Sequence, residues 1–103
     1  MEHQDKNKPE FVDIEEFAKA GKQPPKDSKY QIRIDKEKYV VEVPGMTGRE
    51  LLLLAGKTNP EQYNIYEKLT GGQSVKIGLD EMADFTKNGV ERFMTLPLDQ
   101  TEG

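Results

Sequence analysis

The chain has 103 residues, 34% apolar and 33% charged, with a net charge of −4, enough for one small domain and too few for two. The absence of cysteine excludes disulfides, thiolate zinc sites and a cysteine nucleophile, and no basic run supplies the positive footprint that nucleic-acid binding needs. Met1–Lys8 is charged where a secretory signal would be apolar, and the longest apolar run, Leu51–Ala55, is far too short to span a bilayer, so a cytoplasmic protein without membrane or nucleic-acid partners is expected.

Residues 1–29 read as an N-terminal extension. His3, the sole histidine, lies in its polar first part and reads as a solvated terminal residue, so no metal site is expected. Phe11, Ile14 and Phe17, with Ala18, then recur at helical spacing. Asp13 stands where a cap belongs, Glu16 follows three residues on, and Gly21 suits the stop. The spacing predicts an amphipathic helix of about two turns, followed by a stiff linker at Pro24 and Pro25. A helix this short is marginal alone in water. Its apolar face, Phe11, Ile14 and Phe17, either packs on its own domain or is a docking segment for a partner.

The next stretch carries the secondary-structure signals of a domain over residues 30–97. Tyr30, Ile32 and Ile34 alternate with polar residues, as do Tyr39, Val41 and Val43, around a polar turn at Asp35–Lys38: a hairpin. Thr47 and Glu50 have capping-box spacing, Met46 and Leu51 take the staple positions, and Gly56 sits at the left-handed stop. They predict a helix with Leu51, Leu54 and Ala55 on one face, closed off before Pro60. Tyr63–Leu69 reads as a strand, Thr70–Gln73 as a turn and Ser74–Gly78 as a short strand. Leu79–Phe85 reads as a single helical turn, Lys87–Gly89 as a second tight turn, and Val90–Leu96 as the last strand. Alternation assigns Ile65, Met94 and Leu96 to the core and turns Tyr66, Phe93 and Val40 outward as a candidate surface patch, unless they pack under the N-terminal helix or a loop. The acidic pairs Glu15/Glu16 and Asp80/Glu81 read as solvated faces, and no catalytic constellation is expected.

The order strand, strand, helix, strand, short strand, strand places the chain in the α+β class. Inserting the last strand parallel to the first gives a ubiquitin-like β-grasp, a mixed sheet with one main helix packed across it; other small α+β folds begin with the same elements.

Three stretches, "YQIRIDKEKYVVEVPGMTGRELLLLAGK", "NIYEKLTGG" and "VERFMTLP", together resemble the bacterial multiubiquitin domain, with the lead-in "DIEEFAKAGKQPP" also similar. The resemblance implies a ubiquitin fold and a protein modifier that is a substrate and carrier, not an enzyme. It implies neighbouring genes for a ubiquitin-activating-like enzyme, a conjugating enzyme and a JAB-type metallopeptidase, with target proteins to modify and, in related operons, a role in phage defence. No cofactor is implied beyond the ATP used by the activating enzyme. Two departures stand out: many members carry tandem copies where this chain has one, and ubiquitin ends in two glycines where this sequence closes on Gly103 alone. The pair Gly71 and Gly72 lies inside the domain, in a predicted turn.

The last residues complete the expectation. Pro97 resists ladder pairing, and Leu98, Asp99, Gln100, Thr101 and Glu102 form a tail, 98–103, for recognition by the activating enzyme, with Gly103 as the conjugated residue. Glycine leaves the carboxyl carbon open to an attacking thiolate or amine. The acidic tail predicts a Lys/Arg-lined channel in that enzyme. A sulphur carrier ending in a thiocarboxylate and a non-covalent β-grasp adaptor share the same fold and stay open here.

Overall fold

Alternating apolar residues on both sides of a turn that tolerates left-handed backbone build the first hairpin. In the computed structural model, which describes residues 11–98, β2 (Tyr30–Ile34) pairs antiparallel with β3 (Glu37–Val41), Ile34 opposite Glu37. Asp35 takes φ +56° in the turn, a region that Asp enters more readily than most non-glycine residues. Tyr30, Ile32 and Ile34 face inward and are buried, while Gln31 and Arg33 face the other way.

The main helix, α2 (Gly48–Leu54), starts as its sequence predicts: the Thr47 side chain accepts from the Glu50 amide while the Glu50 carboxylate accepts from the Thr47 amide. Its next orphan donors go to a distant loop, Gly48 N–H to the Glu81 carbonyl at 3.1 Å and Arg49 N–H to the Leu79 carbonyl at 2.9 Å. That approach is close enough that a Cβ on Gly48 would run into the Gly78 carbonyl. Leu51 and Leu52 are buried in the core and Leu53 is exposed.

After a 3₁₀ turn (Pro60–Gln62), β5 (Tyr63–Leu69) pairs antiparallel with β6 (Ser74–Ile77) on one side and with β8 (Val90–Pro97) on the other. β8 also meets β2 in parallel, Ile34 opposite Phe93. The main sheet thus runs β3-β2-β8-β5-β6 with α2 across its inner face, and the β-grasp expected from the element order is the fold observed. Tyr30, Phe85 and Phe93 link their rings through this core, with centroids 6.2 and 6.0 Å apart.

Two segments depart from the sequence reading. Leu79–Phe85 is not a helical turn. A tight turn closes one step earlier, between Gly78 and Glu81, and β7 (Met82–Asp84) then pairs with β4 (Gly45–Thr47) in a small second sheet. Phe85, just after it, is a fully buried core residue. The lead-in is also more than a linker with a helix: β1 (Val12–Asp13) adds to β2 in parallel, Val12 opposite Tyr30. Because β3 holds the other edge of β2 along its whole length, β1 fills the edge that β8 leaves open below Phe93. α1 (Ile14–Lys19) follows, capped by Asp13, which accepts from the Glu15 and Glu16 amides. Ile14 and Ala18 are buried, Phe11 and Phe17 are half-buried, and Phe17 packs against the core. Burying the Ile14 side chain is worth roughly 1.5–3 kcal/mol, and that gain is taken within the domain. Of the two alternatives for the face of Phe11, Ile14 and Phe17, packing on its own domain is the one observed for Ile14 and Phe17: the helix is too short to keep its apolar stripe in water, and its own sheet covers that stripe. The stretch with Pro24 and Pro25 is anchored too, the Tyr30 hydroxyl donating to the Pro25 carbonyl at 2.6 Å and the Gln23 amide to the Thr86 carbonyl at 3.0 Å. Among the described residues no helix is long and apolar enough to cross a membrane.

Candidate functional site

β8 sits inside the sheet and carries the chain out of it, so both candidate sites of the sequence reading converge on this strand. Its register with β5 decides which side chains share a face: Met94 lies opposite Tyr66, Leu96 opposite Asn64, and Arg92 opposite Lys68, while Phe93 lies opposite Glu67 and Thr95 opposite Ile65. Ile65 is buried under α2, so Phe93 and Thr95 share the inner face, and Arg92, Met94 and Leu96 share the outer face with Tyr66 and Lys68.

The candidate patch of Tyr66, Phe93 and Val40 is corrected accordingly. Phe93 is fully buried, and Met94 and Leu96, assigned to the core from the sequence, are half-buried and 43% exposed on the outer face. The run Phe93-Met94-Thr95-Leu96 is apolar at both alternating positions, so alternation alone leaves its phase open. The larger, stiffer ring takes the inner position beside Phe85. Tyr66 does face outward, half-buried between Met94 on β8 and Lys76 on β6. Val40 is outward and 49% exposed, but β2 and β8 stand between it and Tyr66.

The lead-in also occupies part of this face. Asp13 and Glu15 reach onto the outer face of β2 and β3: Asp13 accepts from Gln31 at 2.9 Å and pairs with Lys38 at 3.3 Å. The Glu15 carboxylate lies 3.1 Å from the Arg33 guanidinium and 3.6 Å from Lys19. Glu15 is buried, so it is no solvated face; the two cations beside it make that burial tolerable. What remains open is the β8–β5–β6 part of the face, where Tyr66, Met94 and Leu96 lie among Lys68, Lys76 and Arg92. These three cations make no ion pair among the described residues. Lys68 and Arg92 stand directly opposite one another, a like-charge arrangement that costs stability.

Beyond the face, β8 ends at Pro97, and Leu98 is exposed. Asp99, Gln100, Thr101, Glu102 and Gly103 lie outside the described residues. The Gly71–Gly72 pair occupies the β5–β6 turn with φ +97° and +94°, a conformation that explains both glycines. An open hollow of about 970 Å³ lies at the opposite end of β2, with Lys29, Tyr30, Val43, Pro44 and Met82 among its walls. Among the described residues no three His, Cys, Asp or Glu side chains cluster as a metal site would require.

A protein-family model described as multiubiquitin matches residues 30–97. No curated protein and no solved structure gives a significant match.

Proposed function

The chain belongs to the multiubiquitin family, and from that premise we propose that it is a bacterial ubiquitin-like modifier, joined to other proteins through the carboxyl group of Gly103. The observation that carries the reading is the course of β8. An internal strand leaves the sheet at Pro97, with Leu96 and Leu98 exposed, and a polar segment follows. The six residues from Leu98 to Gly103 reach at most about 22 Å when extended, long and thin enough to enter an active-site channel.

The chemistry belongs to the enzymes. A ubiquitin-activating-like enzyme joins the Gly103 carboxylate to the α-phosphate of ATP, releasing pyrophosphate. A cysteine thiolate then displaces AMP to give a thioester, the chain passes to a conjugating enzyme, and a target amine expels the thiolate and forms the amide. A JAB-type metallopeptidase hydrolyses or trims the product. Asp99 and Glu102 call for a Lys/Arg-lined channel in the activating enzyme. The open outer face, with Tyr66, Met94 and Leu96 among basic residues, offers these enzymes a grip on the folded domain. Service in phage defence, in the cytoplasm, is the setting we propose.

The test is incubation with ATP and a cognate activating and conjugating pair. A covalent ladder with Gly103 joined to an amine supports the modifier. Replacement of one carboxyl oxygen by sulphur would make it a sulphur carrier, and unchanged partner binding after deletion of Gly103, without any ladder, would make it an adaptor.

A further inference from the structure

The β2–β3 turn does more than reverse the chain. β2 meets β8 in one register pair, Ile34 with Phe93, and turns away at Asp35. The parallel ladder ends there as backbone and continues as a side chain. The Asp35 N–H donates to the Phe93 carbonyl at 2.9 Å. The Thr95 N–H donates to Asp35 Oδ1 at 2.9 Å, and the Thr95 hydroxyl donates to Oδ2 at 2.7 Å. Both carboxylate oxygens are committed to a single residue on the outgoing strand, through charge-assisted bonds that are stronger than neutral ones. The turn accepts φ +56° at a non-glycine residue to do this. On this edge of β8 the alternating next position is Pro97, which has no N–H. Thr95 therefore offers the last amide by which a group on the β2 side can hold the strand before residue 98.

We propose that Asp35 is a positioning residue for the C-terminal segment: by gripping Thr95 it fixes the root and direction of the chain that carries Gly103 toward the activating enzyme. The proposal rests on the modifier reading. An enzyme that holds the folded domain and threads its tail at the same time needs the two in fixed register, and Asp35 supplies that register from a turn sixty positions away in sequence.

Asp35→Gly keeps the left-handed turn and removes the carboxylate. Asp35→Asn keeps the size, the turn tolerance and an acceptor. Thr95→Val removes only the hydroxyl from the other side. With a cognate activating enzyme and ATP, Asp35→Gly should raise KM for this protein about tenfold with kcat unchanged, Thr95→Val should reproduce part of the rise, and Asp35→Asn should recover most of the loss. In parallel, amide exchange at Thr95 should quicken about tenfold in Asp35→Gly while exchange at Ile65 stays as it was. Equal KM values for wild type and Asp35→Gly overturn the positioning role and leave the modifier reading standing. Unchanged exchange at Thr95 overturns the grip itself, whatever the enzyme does. A wild-type protein that no such enzyme adenylates removes the modifier reading, and the positioning role falls with it.

Discussion

The two faces of β8 obey different rules. Phe93 points in, fully buried against Phe85; its neighbours Arg92 and Met94 point out, half-buried, one of them opposite a lysine. At Phe93 the inner face is closed by a ring in edge contact with Phe85, so that position carries structure. The outer face keeps apolar surface and like charges that the fold does not need. Replacing Phe93 with Ala should therefore have the largest effect, a loss of about 3–5 kcal/mol. In thermal unfolding that is a fall of more than about 12 °C for a domain of this size. A negligible change would put the ring on the wrong face and dissolve the comparison.

The next largest effect also belongs to the inner side. At Gly48 a Cβ would meet the Gly78 carbonyl, backbone against backbone. Alanine in a helix normally gains up to about 1 kcal/mol over glycine, yet here the overpacking should exceed that gain and leave Gly48→Ala destabilised by about 1–2 kcal/mol in urea unfolding. Net stabilisation would mean that the loop from Gly78 to Glu81 yields.

What the sequence discloses follows the range of the forces involved. The Thr47–Glu50 capping box and the Gly71–Gly72 turn are written in neighbouring residues, and they stand where the sequence puts them. The first hairpin forms too, but its turn is Asp35–Lys36 rather than Asp35–Lys38, because Glu37 and Lys38 already pair with Ile34 and Arg33, and Val43 lies beyond β3. β7 is three residues long and exists because β4 lies beside it, nearly forty positions earlier in the chain; nothing within Met82–Asp84 announces that partner. β1 is shorter still and depends on the edge of β2 that β8 vacates. Tyr66 and Val40 face outward as the sequence reads, and Phe93 does not, for a related reason: Phe93, Met94 and Leu96 are apolar at both phases of a strand, and only the pairing of Ile65 with Thr95 settles which phase faces in. Glu15 looked solvated because its partner Arg33 lies on a different element.

An acid titration sharpens the contrast from the small second sheet, at the end of β7. Asp84 accepts from the Thr86 hydroxyl at 2.7 Å and the Thr86 amide at 2.8 Å. The hydroxyl bond first, then the amide bond, hold its carboxyl below the usual aspartate range, against a smaller opposing effect of burial. A folded-state value lower than the unfolded one stabilises above the ordinary aspartate pKa of about 3.9. That stabilisation is lost as pH falls through the folded value. Asp84→Asn should lose up to about 1 kcal/mol at neutral pH, a modest figure because the group is exposed and screened. It should also show a flatter decline of stability between neutral pH and acid than the wild type. Parallel declines would remove Asp84 from the acid response.

The smallest effects fall on the outer face. Leu96→Ser should leave stability within about 0.5 kcal/mol while weakening capture by an activating or conjugating enzyme, since Leu96 is exposed beside the strand exit. Lys68→Glu goes further, because it turns a repulsive cross-strand pair with Arg92 into an attractive one. A gain of about 0.2–1 kcal/mol is expected, fading as salt approaches 1 M, where screening acts within about 3 Å. That sign is the informative part. A single substitution that strengthens the fold where the natural residue weakens it separates what the sheet requires from what its surface is used for. Destabilisation by Lys68→Glu would instead mean that Lys68 serves the fold, and the distinction between the two faces of β8 would then hold for Phe93 alone.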